Sequence, residues 1–298
     1  MPKMKTQSVL LKDLFLSLRP KQWIKNVALF APLLFSQNLF NKPLLFKTLE
    51  AFGLFCLLTG SVYIINDLKD LKEDRLHPVK RNRPLASGRV SPTLAGIIVL
   101  IVLAVSFMGA WKLSLPFFKV LMAYLLLQIV YTFSLKHQVI LDIFSIAAGF
   151  VLRVVAGGLA IGVQLSPWLL ICTTLLSLFL AMAKRRHELI FLKEEASDHR
   201  QILKEYSPYL LDQMMGVVTA TTLMSYALYT ISEETVSKFH TSNLIFTIPF
   251  VLYGIFRYLY LVHHKVEGGH PEDILLTDRP LLLTVLGWTI TVLVVLYR

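Results

Sequence analysis

Nine apolar stretches of roughly 20 residues each recur along the 298-residue chain, and they constrain its fold more than any other feature. A helix of about this length crosses the ~30 Å hydrocarbon core of a bilayer. Charged residues make up only 16% of the chain, which is too little to cover a soluble protein of this size. The sequence therefore predicts an all-α, polytopic membrane helical bundle that forms one domain over residues 1–298. The predicted spans are 24–41, 44–65, 92–111, 117–135, 141–163, 166–183, 209–231, 242–262 and 281–297.

Lysine and arginine are concentrated on one side of this predicted topology. With a cytoplasmic N-terminus, 23 of the 30 Lys and Arg residues fall in segments on the cytoplasmic side. Positive charge accumulates there in membrane proteins, so we expect a multi-pass protein of a bacterial inner membrane and no nucleic-acid partner. The first 25 residues lack the apolar core of a signal peptide. Cys56 and Cys172 lie in apolar runs without the spacing of a disulfide framework or a metal site.

An acidic segment follows the second predicted span directly. Asp67, Asp70 and Asp74 are spaced three and four residues apart, which places all three carboxylates on one face of a helix. Hard oxygen ligands in such a row suit Mg²⁺, an ion that proteins commonly share with substrate phosphates. The alternative is a solvated acidic face of a loop helix. A metal–diphosphate site on the cytoplasmic side is the interpretation that we favour.

A dense basic run follows these aspartates within fifteen residues and includes Lys80, Arg81 and Arg83. Carboxylates beside guanidinium and ammonium groups are typical of Mg²⁺ on one part of a polyphosphate and basic side chains on the rest. Internal neutralisation of the aspartates by these neighbours is the alternative.

Basic residues elsewhere are further candidates for binding phosphate. Arg153 lies about twelve residues into the fifth predicted span, where a charge costs at least ~2.5–3.5 kcal/mol, so it needs a partner or a polar cavity. Lys136 lies on a short loop, and Asp142 at the entrance to the following span. Lys21 and Lys25 share a helical face, either as phosphate ligands or as anchors of the topology.

The acidic segment carries a family resemblance. Asn66-Asp67-x-x-Asp70-x-x-x-Asp74 is similar to the first Asp-rich motif of the UbiA superfamily of membrane-embedded prenyltransferases. Other stretches resemble the branch of that superfamily that transfers phosphoribose to decaprenyl phosphate. These stretches are Arg19-Pro20-Lys21-Gln22-Trp23-Ile24-Lys25-Asn26, His77-Pro78-x-Lys80-Arg81-x-Arg83-Pro84, Tyr131 to Lys136 with Asp142, Gly149-Phe150-x-x-Arg153, and Gly268-Gly269-x-Pro271-Glu272-Asp273 to Asp278-Arg279.

The resemblance implies a bundle with cytoplasmic cap loops and an enzyme of phosphoribosyl transfer from 5-phosphoribosyl diphosphate to a polyprenyl phosphate. It implies Mg²⁺ as cofactor, bound by Asp67, Asp70 and Asp74 with help from Asn66, and a product used in cell-wall arabinan synthesis. Residues expected to bind the substrates are Lys21, Lys25, Asn66, Lys80, Arg81, Arg83, Tyr131, Lys136, Asp142, Arg153, Lys184, Arg185 and Arg186.

One departure from the superfamily concerns the segment after the sixth predicted span. Prenyl-transferring members usually carry a second Asp-rich motif there, whereas this chain reads Lys184-Arg185-Arg186-His187-Glu188, with Glu194, Glu195 and Asp198 further on. A basic triplet suits a second anionic group better than a second metal. Two alternatives stay open, a prenyl diphosphate:aromatic acceptor transferase of the same superfamily and a transporter of anionic lipids.

The loop 263–280 is a third candidate functional segment. It either closes over the site or holds an Asp278–Arg279 pair at the start of the last span. Its histidines His263, His264 and His270 have no partner residues at a metal-binding spacing, so we expect a solvated loop.

Overall fold

The computed structural model describes residues 7–192, 201–264 and 271–298, and the regular structure within these ranges is helical. The α-helices are α1 (Gln7–Ser17), α2 (Ala31–Phe35), α3 (Lys42–Lys69), α4 (Leu71–Leu76), α5 (Pro92–Leu113), α6 (Leu115–Phe133), α7 (Leu141–Ile161), α8 (Pro167–Leu192), α9 (Pro208–Ile231), α10 (Glu233–Phe239), α11 (Ile248–His264), α12 (Pro271–Thr277) and α13 (Arg279–Tyr297). Short 3₁₀ helices cover Pro20–Phe30, Lys80–Asn82, Leu135–His137, Gln201–Glu205 and Asn243–Thr247.

Eight helices in the described part of the chain are long and apolar enough to cross a membrane. They are α3, α5, α6, α7, α8, α9, the continuous stretch Asn243–His264, and α13. These helices coincide with eight of the nine predicted spans, and the prediction of an all-α polytopic bundle is confirmed.

The first predicted span, 24–41, has a different local structure. The 3₁₀ helix Pro20–Phe30 runs into the five-residue helix α2, which carries Pro32 near its start. Taken end to end, the segment 20–35 amounts to about 30 Å of helix, because a 3₁₀ helix rises about 2.0 Å per residue and an α-helix 1.5 Å, although neither part is a long α-helix. Its role as a ninth span stays a prediction.

Polar caps followed by proline fix where several of the long helices begin. Asn41 and Ser91 accept hydrogen bonds from the backbone N–H groups of the first turns of α3 and α5. Ser207 and Asp278 do the same for α9 and α13. Each of these helices has proline in its first two positions, where the missing N–H group is not needed.

The described residues divide into two compact units, the first comprising 7–132 with 155–163 and the second comprising 133–154 with 164–192, 201–264 and 271–298. In the first unit α3 is the central helix and packs along α5. Ile64 of α3 forms a buried cluster with Leu85 and Val90 of the following loop and with α5. This cluster holds the loop 80–91 against the C-terminal end of α3.

In the second unit α8 and α9 pack along each other, and the buried core lies between these two helices and α11. Phe179 and Met182 of α8 meet Leu211 of α9 and Tyr258 of α11 in this core. The packing surrounds the C-terminal part of α8, which contains the basic triplet that the sequence singled out.

We expect Gly157→Ala to lower the thermal unfolding midpoint in detergent by several degrees. A Cβ at this position would collide with the backbone carbonyl of Leu29, and overpacking of this kind costs about 1–3 kcal/mol. Gly96→Ala is the matched control, because a Cβ there meets no atom within 4 Å. Equal midpoints for the two variants would contradict the close approach.

Candidate active site

The acidic segment forms a corner between two helices. Helix α3 ends at Lys69, Asp70 departs from helical geometry, and α4 begins at Leu71. The corner buries Asp67 and Asp74, which are 3% and 2% exposed, and leaves Asp70 half-buried. Two carboxylates that are this deeply buried need cations or hydrogen-bond donors beside them.

Arg83 joins these two buried carboxylates. Its Nη1 atom donates to Asp67 Oδ1 at 3.0 Å and to Asp74 Oδ2 at 2.6 Å. Lys80 adds an ammonium 3.8 Å from Asp74 Oδ1. The basic run that follows the aspartates in sequence is therefore folded back onto them, and both carboxylates point at one cationic nitrogen.

Arg19 is a second guanidinium at this site, and the sequence pattern predicted no separate role for it. Its Nη2 atom donates to Asp67 Oδ1, and the guanidinium lies over the ring of Tyr63 at 4.9 Å. Arg19 has a φ of +52°, a left-handed conformation that is uncommon for a residue other than glycine. The Arg19-Pro20 pair directly before the first apolar stretch is the signal that could have identified it.

Asn66 and Lys69 tie this corner to α6. The hydroxyl of Thr132 donates to Asn66 Oδ1 at 2.5 Å, and Lys69 Nζ donates to the backbone carbonyl of Thr132 at 2.5 Å. Both contacts fix the last turn of α3, which carries Asp67.

The donor set suits a divalent cation with oxygen ligands. Asp67 and Asp74 converge on one position that a guanidinium nitrogen takes here, and carboxylate oxygens are what Mg²⁺ prefers. Within the described residues no three His, Cys, Asp or Glu side chains are grouped closely enough to share a metal ion. The arrangement is thus a carboxylate pair, which leaves coordination positions for water and phosphate oxygens.

The basic triplet of α8 has carboxylate partners of its own. Arg185 donates through Nε to Asp142 Oδ2 at 2.6 Å and through Nη1 to Glu188 Oε2 at 2.7 Å. Arg185 is 1% exposed and Asp142 is 0% exposed. Tyr206, which no sequence motif predicted as a site residue, donates its hydroxyl hydrogen to Asp142 Oδ1 at 2.7 Å.

Arg186 pairs with a different carboxylate. It donates to Asp212 through Nε at 2.5 Å and through Nη2 at 3.3 Å, and it also reaches the carbonyl of Val262. His263 Nε2 lies 3.2 Å from Asp212 Oδ1. Asp212 was not a sequence candidate, and its position one turn into α9 gave no signal by itself.

The other predicted binding residues differ in burial. Arg153 is buried, donates to the carbonyl of Gly149 at 2.9 Å and lies over the ring of Phe150. Lys21 and Arg81 are exposed. The remaining predicted ligands outside these clusters are half-buried: Lys25, Tyr131, Lys136 and Lys184.

The late loop is described only in part. Asp278 pairs with Arg257 of α11 at 2.8 Å and caps α13 by accepting from Leu281 N at 2.9 Å. The pair with Arg257 connects the start of α13 to α11. Residues 265–270, with Glu267 and His270, lie outside the described residues, as do Glu194, Glu195 and Asp198.

Comparison with known sequences identifies the class of protein. The sequence profile of the UbiA prenyltransferase family matches residues 27–272, and the chain belongs to this family. Among curated proteins, the chain is 33% identical to the decaprenyl-phosphate phosphoribosyltransferase of Mycobacterium tuberculosis, over 93% of this chain and 91% of that one. It is also 33% identical to the enzyme of the same name from Corynebacterium glutamicum, over 94% and 86% of the two chains.

Solved structures share the fold. A UbiA homolog from Archaeoglobus fulgidus bound to GPP and Mg²⁺ superposes with a TM-score of 0.70 at 19% identity, covering 96% of this chain and 100% of that one. The same homolog bound to Cd²⁺ superposes with a TM-score of 0.66 at 17% identity, with the same coverage. At these identities the comparison establishes a UbiA-type, multi-pass membrane fold.

We expect Arg185→Met to destabilise the protein by about 3–5 kcal/mol, because it leaves the Asp142 charge buried beside Tyr206 without its cation. The double variant Arg185→Met/Asp142→Asn should recover part of this loss, since the amide oxygen still accepts from Tyr206. Thermal unfolding in detergent measures both effects. Arg279→Met, at an exposed position, is the control. A double variant less stable than Arg185→Met would contradict the pairing.

Proposed function

We propose that this protein transfers 5-phosphoribose from 5-phosphoribosyl diphosphate to a polyprenyl phosphate of the decaprenyl type and releases diphosphate. The observation that carries the proposal is the buried Asp67–Asp74 pair, which converges on one guanidinium nitrogen of Arg83, with Arg19 and Lys80 beside it. Such a site suits a metal–diphosphate group. The identity of the two substrates is supported by the names of the relatives that match almost the whole chain.

Asp67 and Asp74 are the proposed ligands of Mg²⁺, with Asp70 and Asn66 close by in the same corner. When bound there, Mg²⁺ supplies electrostatic stabilisation of the charge that develops on the leaving diphosphate. Arg83 and Lys80 hold the carboxylates in the arrangement described above, and they are the proposed partners of the diphosphate oxygens. Exchanging a carboxylate for a phosphate keeps a guanidinium fully paired.

The bond changes require no strong general base. A phosphate oxygen of the lipid forms the new bond to the anomeric carbon, the bond from that carbon to diphosphate breaks, and diphosphate leaves with the electron pair. The attacking phosphate monoester is already ionised near neutral pH. The proposed task of the basic residues is therefore to bind and orient phosphate groups, and the further candidates are Lys21, Lys25, Arg81, Lys136, Arg153 and Lys184.

The distribution of Lys and Arg supports a bacterial inner membrane location with the N-terminus and the Asp67 corner in the cytoplasm. A cytoplasmic corner would meet the water-soluble donor directly, while the lipid acceptor would arrive from the bilayer. A single functional domain over the whole chain, with 24–41 as a further membrane-crossing segment, is part of the same proposal.

The direct test uses purified protein in detergent with Mg²⁺, a polyprenyl phosphate and labelled 5-phosphoribosyl diphosphate. We expect label to enter the lipid phase and transfer to stop when a chelator is added. Activity only with a prenyl diphosphate and an aromatic acceptor would overturn the substrates and keep the metal site. Inactivity in both assays would favour a transporter.

Asp67→Asn and Asp74→Asn should each lower kcat/KM for phosphoribosyl transfer by about 100-fold or more, because each removes a charged metal ligand. Glu73→Gln is the matched control, since it removes the same charge at an exposed neighbouring position. The measurement is label transfer at varied donor concentration. Asp74→Asn protein with half of the wild-type rate would refute the assignment.

Arg83→Gln should tighten the binding of metal alone and weaken the binding of 5-phosphoribosyl diphosphate. The guanidinium takes the position on which both carboxylates converge, so its removal frees them for a cation. We expect Arg83→Gln to bind Mn²⁺ with a Kd roughly three- to tenfold lower than that of the wild-type protein. Electron paramagnetic resonance of Mn²⁺ with the substrate-free protein measures this Kd. Arg75→Gln changes the net charge equally at an exposed site. The expectation fails if both variants bind Mn²⁺ alike.

A further inference from the structure

The loop between α6 and α7 contains a strained residue. Ile140 has a φ of +69°, in the left-handed region. For a β-branched residue this is a genuine outlier, because its side chain crowds the backbone there. Such a conformation persists only where the surrounding structure enforces it, and it is found preferentially at functional sites.

One buried hydroxyl supports this residue. The Ile140 backbone N–H donates to Tyr206 Oη at 2.6 Å, and the same hydroxyl donates to Asp142 Oδ1 at 2.7 Å. Tyr206 is 4% exposed. Burial raises the pKa of the Tyr206 hydroxyl, and its hydrogen bond to Asp142 acts in the same direction, so it stays protonated and can donate at neutral pH.

The buried ion pair with Arg185 fixes Asp142 in turn, so the support reaches α8. The chain from Arg185 through Asp142 and Tyr206 to the Ile140 amide contains three hydrogen bonds of 2.6–2.7 Å. It connects α7 and α8 to the strained Ile140 backbone. A buried network in which each of these polar groups is satisfied holds its members in one arrangement.

The supported loop carries Lys136. This residue lies in the 3₁₀ turn Leu135–His137, four residues before Ile140, and is half-buried. The turn is in contact with Gln201–Glu205, the short helix that leads directly to Tyr206. Fixing Ile140 therefore fixes the end of the segment that presents the Lys136 ammonium.

We propose that Tyr206 is a positioning residue that acts through Ile140 to set where Lys136 meets a substrate phosphate. The inference rests on the proposed function, in which Lys136 binds phosphate. Tyr206 itself touches no substrate in this scheme. Its hydroxyl does two things at once, accepting from a strained backbone amide and donating to a buried carboxylate, and phenylalanine can do neither.

Tyr206→Phe removes one oxygen atom. We expect it to raise KM for one of the two substrates about five- to tenfold and to change kcat by less than about twofold, since binding is loosened and the reacting groups are untouched. Hydrogen exchange at the Ile140 amide should accelerate. Tyr209→Phe, a neighbouring and exposed tyrosine, is the matched control.

Lys136→Gln and the double variant Tyr206→Phe/Lys136→Gln separate positioning from a purely structural role. If Tyr206 acts through Lys136, the double variant has the KM of Lys136→Gln alone, whereas independent effects multiply. In addition, the double variant Tyr206→Phe/Ile140→Gly should have a KM closer to the wild-type value than Tyr206→Phe alone. The reason is that glycine adopts a φ of +69° without strain.

If the KM effects of Tyr206→Phe and Lys136→Gln multiply in the double variant while the wild-type protein transfers phosphoribose, the positioning role is overturned and the proposed function stands. A Tyr206→Phe variant that lost kcat and thermal stability together, without rescue by Ile140→Gly, would also overturn the positioning role. Failure of the wild-type protein to transfer phosphoribose would instead overturn the proposed function, and the phosphate role of Lys136 would fall with it.

Discussion

The burial of two carboxylates at one corner is the constraint on which the rest of the candidate site depends. Asp67 and Asp74 lie where solvent cannot screen them, so the fold has to bring cations to them. Arg83, from the following loop, contacts both carboxylates. Arg19, which precedes them in the chain and has a left-handed backbone conformation, contacts Asp67. The apolar packing around Ile64 holds the loop in place. This concentration of cations around paired carboxylates is the basis of the proposed metal–diphosphate site.

In the second unit, by contrast, each of the two arginines of α8 is paired with a different carboxylate from another segment. Arg185 pairs with Asp142, and Arg186 pairs with Asp212. A buried guanidinium that is already paired acts most directly by fixing the backbone around it, since releasing it for a substrate would strand its partner. We infer that these two pairs set the geometry of neighbouring loops, and that the phosphate-binding candidates of this unit are Lys136, Arg153 and Lys184.

The fold could be predicted because membrane-spanning helices have long apolar sequences bounded by polar caps and proline. Eight such helices lie at the predicted positions. The segment 24–41 is the exception, since hydropathy does not distinguish a 3₁₀ helix from an α-helix. At the site, the spacing of the aspartates indicated a metal, but a continuous helix was assumed. The corner at Asp70 changes which carboxylates converge, because the chain turns there.

The amino-acid sequence is sufficient to identify a multi-pass helical protein of the UbiA family, and it shows that the acidic and basic motifs adjoin. Apolar length and motif spacing are local properties, so they can be read along the chain. Which charged side chains meet depends on how the helices pack. Asp212 and Tyr206 gave no signal in the sequence, because their partners lie 26 and 64 residues away. Helix packing brings together partners that are so far apart along the chain, and a local sequence pattern does not show which distant residues will pair.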